Sequence, residues 1–350
     1  YGPYNATDCE MLVAHANVTC LTASGGGVNH TWNVRVGEQS SDGAGGPTAS
    51  YAAPRLLSAA AAELDLGLDL GLATSGAPLV LNGTNFGVDT QVMVGKSECK
   101  SVQATWGEVR CFMPEGSGVV DVTAVVSGQR SNSIRLAYDP PTIDASTTLT
   151  MPTLGGRTFV KGSNFADDDS HASFALLWNG RPLTDAEELE LHTHIVIGFR
   201  IPRGVGAGHR LSLNVSGQPS TNAIRFDYAA PTIASVVPAT LRPEGGEQLT
   251  LSGSGFGHET QHSAPRLTLT MLGATRNLTR IKIVDDGTIE AASGASMAPG
   301  AASLALVVAG QPSDTLNVSI QCGGGLVYEQ AEGVCAAAGS AGLSAELWAL

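Results

Sequence analysis

One short motif is written three times along this chain, and that repetition limits the folds open to it more than any other feature. Gly83-Thr84-Asn85-Phe86-Gly87, Gly162-Ser163-Asn164-Phe165-Ala166 and Gly253-Ser254-Gly255-Phe256-Gly257 are versions of one sequence. Each follows an aromatic–proline boundary: Tyr51 to Pro54, Tyr138 to Pro141 and Tyr228 to Pro231. The boundary tyrosines lie 87 and then 90 positions apart. That period is too long for a solenoid repeat and suits a small sandwich domain.

Within each period the residues keep one plan. A Pro-x-Ile opening (Pro141 to Ile143, Pro231 to Ile233) leads to a Gly-Gly turn at Gly155-Gly156 or Gly245-Gly246. A strand of alternating apolar residues follows, as in Gln248-Leu249-Thr250-Leu251. At the corner, glycine is expected to supply a positive φ and phenylalanine to plug the end of the core. The unit closes on Ser127-Gly128-Gln129, Ser216-Gly217-Gln218 or Ala309-Gly310-Gln311. Short period-two strands between Gly/Pro turns predict an all-β chain of antiparallel sandwiches. The one helix-like stretch, Ser58-Ala59-Ala60-Ala61-Ala62-Glu63, predicts at most a turn or two of helix.

Cysteines and asparagines indicate the compartment. The six cysteines form three local pairs, Cys9/Cys20, Cys99/Cys111 and Cys322/Cys335, separated by 11, 12 and 13 positions. Zinc sites need tighter pairs converging on one ion, so disulfides are the expectation, with six buried free thiols as the alternative. Each bridge would contribute about 3 kcal/mol. Asn5, Asn17, Asn29, Asn82, Asn214, Asn277 and Asn317 all begin N-x-[ST] sequons, seven of the chain's 13 asparagines. Paired cysteines and abundant sequons together predict an extracellular, N-glycosylated protein. The net charge of −13 argues against nucleic-acid or anionic-membrane partners. No run of 18 apolar residues is present to insert in a membrane.

The Pro-x-Ile opening, Gly-Gly turn, Gly-x-Asn-Phe-Gly corner, cysteine pair with trailing Pro114 and Ser131-Asn132 close resemble the IPT/TIG family of immunoglobulin-like domains. The resemblance covers residues 53–321 and implies tandem immunoglobulin-like (E-set) sandwiches of the kind found in plexin-type ectodomains and multi-repeat surface proteins. It divides the chain into a partial unit at 1–52, full units at 53–139, 140–229 and 230–321, and a cysteine-bearing tail at 322–350. The second and third full units lack the cysteine pair. Phe199 or Gly198 takes the place of Cys111 in the second, so apolar packing must replace the crosslink.

Two segments lie outside the repeat. Leu64, Leu66, Leu68, Leu70 and Leu72 alternate with Asp and Gly, which as a strand puts all five leucines on one face. Such a strand either covers its own sandwich or pairs with another subunit. The tail ends in a strand-like Leu343-Ser-Ala-Glu-Leu-Trp-Ala-Leu350. A half unit at one end and an orphan strand at the other fit either a fragment of a longer protein or head-to-tail donor-strand assembly into filaments.

Candidate chemistry is sparse. His258-Glu-Thr-Gln-His262 matches H-E-x-x-H, but zincin chemistry needs a helix and this stretch has a loop context. His192-Thr193-His194 puts two imidazoles on one strand face and lacks a third ligand. Asp167-Asp-Asp-Ser170 is a candidate Ca2+ turn without EF-hand spacing. Trp32, Trp106, Trp178 and Trp348 are spread over the units as core or edge residues. No catalytic or metal site is assigned, and no cofactor beyond N-glycans. The expected function is a non-enzymatic structural or adhesive scaffold whose partners are copies of itself or other surface glycoproteins. A ligand-binding receptor ectodomain and an accessory module of a secreted carbohydrate-active protein are the alternatives.

Overall fold

A computed structural model describes all residues except 42–44, 63–70, 145–148, 168–172, 184–190, 259–263, 295–296, 331–333 and 338–350. The described residues contain strands and turns and no helix. Three sandwiches of like topology follow one another. In the first, one sheet orders Lys100–Ala104, Glu108–Phe112, Pro78–Thr84 and Arg55–Ala61, and the other is centred on Val119–Val126 paired with Gln91–Val94 and Ile134–Ala137. The second repeats this with Thr142–Ile143, Gly156–Ser163, Val196–Ile201 and Leu191–His192 against a sheet centred on His209–Val215. The third repeats it with Thr232–Val237, Gln248–Ser254, Thr288–Ala292 and Thr279–Asp285 against a sheet centred on Gly300–Val308. Each sandwich buries its own apolar cluster, bounded by Leu56 and Tyr138, Ile143 and Tyr228, and Ile233 and Ile320.

Ser58 to Ala61 is strand: Arg55–Ala61 pairs antiparallel with Pro78–Thr84, placing Ala60 opposite Val80. Alanine's helical preference is small, and pairing that turns Leu56, Ala59 and Ala61 towards the core overrides it. The opening glycine of the corner does not have a positive φ; that conformation falls on Asn85 (61°), on Asn164 (60°) and Ala166 (59°), and on Gly255 (76°) and Gly257 (80°), so glycine supplies it as expected only in the third unit. Glycine is needed at Gly83, Gly162 and Gly253 for space. A Cβ there would lie 2.0–2.2 Å from the carbonyl of Arg55, Thr142 or Thr232 on the unit's opening strand, and 2.4–2.6 Å from the corner phenylalanine ring. Phe86, Phe165 and Phe256 are fully buried.

The crosslink and its replacements also align. Cys111 pairs with Leu79, Phe199 with Thr158 and Ala291 with Leu249, so these three hold one position. The partner position is fixed by one backbone bond in each unit: Cys99 N–H to Val92 O, Leu183 N–H to Leu176 O and Leu278 N–H to Leu267 O. A disulfide in one unit is thus Phe199 with Leu183 in the next, and Ala291 with Leu278 in the third.

The partial unit contains the hairpin Thr7–Val13 and Asn17–Leu21, bridged by Cys9–Cys20, with Met11, Leu12 and Leu21 exposed. An aromatic group organises the rest: Tyr1 stacks on Trp32 at 4.2 Å, and its hydroxyl lies 2.6 Å from that of Tyr51. Beyond the third sandwich, Leu326–Glu329 and Val334–Ala337 form a hairpin tied by Cys322–Cys335.

Candidate functional site

The feature repeated most faithfully is the junction between successive units. The Gly-Gln turn near the end of each full unit reaches back to the boundary tyrosine before it. Gln129 Nε2 donates to Tyr51 O at 2.9 Å, Gln218 Nε2 to Tyr138 O at 2.8 Å and Gln311 Nε2 to Tyr228 O at 2.9 Å. At two junctions the same amide also accepts: Gly27 N–H donates to Gln129 Oε1 at 2.9 Å, and Gly118 N–H to Gln218 Oε1 at 3.1 Å. The glutamine therefore reads a donor and an acceptor at fixed separation, as an extra rung of backbone pairing would. Close approach requires glycine at the second of these junctions. Gly118 has φ +72°, and a Cβ on it would lie 2.9 Å from the Ser216 side chain. Ser117 and Ser216 hydroxyls meet there at 2.7 Å.

The boundary tyrosine is itself anchored. Tyr51 donates to Ala23 O at 2.6 Å, Tyr138 to Pro114 O at 2.8 Å and Tyr228 to Pro202 O at 2.8 Å. Burial pushes the hydroxyls of Tyr138 and Tyr228 up from 10.0 to about 12. A raised folded-state value means that the neutral phenol stabilises the fold fully below pH 10, and that this contribution is lost as pH rises through 12. Stability should therefore hold up to about pH 10 and fall between about pH 10 and 12, with tyrosinate absorbance at 295 nm rising alongside unfolding. Tyrosinate absorbance complete at pH 10 with the fold intact would contradict this.

A second line of contact joins the front of one unit to the hairpin tip of the next. Thr74 N–H donates to Asn164 Oδ1 at 3.3 Å, and Thr74 Oγ1 lies 3.0 Å from His194 Nδ1. At the following junction Thr153 Oγ1 donates to Asp286 Oδ1. Thr153, Arg203, His258 and Asp286 line a cleft of about 330 Å³ there. Trp106 holds the corresponding tip of the first full unit, where its carbonyl accepts from Phe86 N–H, and its side chain is exposed.

The three cysteine pairs are disulfide-bonded, and no described cysteine is free. Asn5, Asn17, Asn29, Asn82, Asn277 and Asn317 are exposed, whereas Asn214 is half-buried and accepts from Gly217 N–H at 3.0 Å. Leu64, Leu66, Leu68 and Leu70 lie outside the described residues; Leu72 packs in the core of its own unit, where its carbonyl accepts from Asp139 N–H and its N–H donates to Asp139 Oδ2, both at 2.9 Å. Most of the H-E-x-x-H stretch, Glu259 to His262, lies outside the described residues, as do Asp168 to Ser170 and Trp348. His192 and His194 do not share a strand face. The strand ends at His192, whose Nε2 meets Phe165 O in the interior, while His194 sits on the turn facing the preceding unit. In the tail hairpin, Cys335 N–H donates to Glu244 Oε1 at 2.7 Å, and backbone N–H groups of Glu244 and Cys335 hold that carboxyl below the usual range.

The glutamine latch leaves only a faint signal in the sequence: the same residue in the same turn of all three full units. It joins residues 78 to 83 positions apart, and within one unit its turn reads as a strand end.

Comparison with known proteins places these units. The IPT/TIG domain family model matches residues 71–138 and 231–331. Fibrocystin-L of Mus musculus is 27% identical over 199 residues, which is 53% of this chain and 4% of that protein. The chain thus spans a small part of that relative's length. Among solved structures, the Plexin A4 full extracellular region is 13% identical with a TM-score of 0.25, covering 73% of this chain and 23% of that one. The surface glycan-binding protein PbSGBP-B of Prevotella bryantii is 9% identical with a TM-score of 0.33, covering 63% of this chain and 66% of that one. Residues 140–229 lie between the two family matches and repeat the same sheets, corner and latch. The chain is a tandem array of immunoglobulin-like sandwiches, two segments of which match the IPT/TIG domain family.

Proposed function

We propose that this chain is a stiff, extracellular, N-glycosylated spacer within a structural or adhesive surface protein, with unit boundaries at 52/53, 139/140, 229/230 and 321/322. The observation that carries this reading is the glutamine latch, made to the same backbone atom at three successive junctions. A linker alone sets reach; a linker with a two-sided hydrogen bond beside it also sets angle. Its mechanism is spatial: each unit fixes the direction of the next and chemistry plays no part. Exposed sequons on the partial unit and on the first and third full units are where glycans would keep such a rod soluble and resistant to proteolysis. Its partners are copies of itself in head-to-tail contact, or other surface glycoproteins.

Electron microscopy of the secreted, glycosylated chain, with light scattering alongside, tests the reading. Straight particles of one length, alone or joined into filaments of regular axial repeat, are the expected result. Particles bent to different degrees at residues 139–141 and 229–231 would overturn it.

A further inference from the structure

We propose that the junction between the first and second full units is a divalent transition-metal site of the zinc class, made by Glu115, Asp167 and His194. One ligand atom from each lies within 4.8 Å of the other two. Glu115 comes from the loop after Cys111, whereas Asp167 follows the Phe165 corner and His194 caps a hairpin of the next unit. No sequence window contains this set. His192 takes no part, since its Nε2 meets Phe165 O in the interior; His194 gains Glu115 from across the junction.

The imidazole of His194 carries the argument. Its Nδ1 lies 3.0 Å from Thr74 Oγ1, which fixes the ring, as the partners of metal-bound histidines do. Its Nε2 is buried without a hydrogen bond, 3.4 Å from Asp167 Oδ2 and turned to the carboxylates. A buried ring nitrogen in such a place calls for a partner. Two carboxylates and one imidazole, with a fourth position left open, suit Zn2+ at about 2.0–2.2 Å, which the donor atoms reach by closing in from separations of up to 4.8 Å.

The next junction provides an internal comparison. The same structural places are held there by Arg203 for Glu115, His258 for Asp167, Asp286 for His194 and Thr153 for Thr74, and these four line one cleft. A guanidinium thus stands beside a carboxylate where the earlier junction gathers two carboxylates and an imidazole. The chain supplies its own cation at one junction, and the other is built to take one from solution.

Isothermal titration of the full, chelator-stripped glycoprotein with ZnCl2 tests this. One Zn2+ per chain is expected, with a rise in melting temperature and no matching response to CaCl2. Glu115→Arg, which transplants the residue of the following junction, should abolish the binding while leaving the melting temperature at or above that of the metal-free parent. Thr74→Val should weaken it roughly 10-fold or more, and Thr74→Ser should restore it. A parent chain that takes up no zinc up to millimolar concentration would overturn the proposal. So would zinc uptake retained in Glu115→Arg, which would place the ion elsewhere, or a response to calcium in place of zinc.

Discussion

Replacing Phe199 with alanine should destabilise the second full unit by about 3–5 kcal/mol, the usual loss when a fully buried aromatic ring leaves a cavity. Phe199 is 1% exposed within a core that includes Val160, Phe165, Ile197 and Phe226. Its unit has no disulfide to constrain the unfolded chain. Backbone compatibility is not in question, because alanine holds the same place in the third unit as Ala291. Ala291 is fully buried there, in a core that also includes Leu278 and Met297. The effect should therefore appear as a cavity cost confined to one unit. Hydrogen exchange of the Gly156–Ser163 strand, resolved from the strands of the other units, is the appropriate readout, since a multi-domain chain has no single unfolding transition. A change below about 1 kcal/mol would mean that the ring is not holding this core together.

Gly253→Ala should cost about 3 kcal/mol in the third unit by overpacking. The new methyl would lie 2.0 Å from Thr232 O and 2.6 Å from the Phe256 ring, while the backbone itself is one that alanine adopts. Relief requires moving strand Thr232–Val237, which pairs with Gln248–Ser254 and covers that end of the core. Gly310→Ala is the comparison. Nothing lies within 4 Å of its Cβ position, but its φ is +81°, so only conformational strain of about 1–2 kcal/mol is expected. Hydrogen exchange of the Gln248–Ser254 and Gly300–Val308 strands in the two variants separates the causes. Equal losses would show that the corner glycine is needed for conformation and not for room.

These expectations mark where the sequence is transparent and where it is not. The sandwiches, their period and the cysteine pairs are legible because the signals are local: alternation, turn residues and short separations. The corner glycine is legible as a requirement but not as a cause, since its constraint is a carbonyl on a strand 20 to 28 residues earlier. The strand at Arg55–Ala61 is obscured by its alanines, whose side chains say little about which partner they meet. Junction contacts are hardest to read. Gln218 with Tyr138, and His194 with Thr74 and Glu115, pair residues some 80 to 120 positions apart, and each half looks like an ordinary turn. Only an alignment of the units against one another brings out their common places.

Stiffness at those places is the central claim, and pulsed electron spin resonance tests it directly. All described cysteines are disulfide-bonded, so cysteines introduced at the exposed positions Lys96, Arg181 and Thr275, one in each full unit, can be labelled selectively. The account predicts one narrow distance for the Lys96–Arg181 pair and one for the Arg181–Thr275 pair. Gln218→Ala should broaden the first and Gln311→Ala the second. Broad distributions in the parent chain, unchanged when either glutamine is removed, would contradict it.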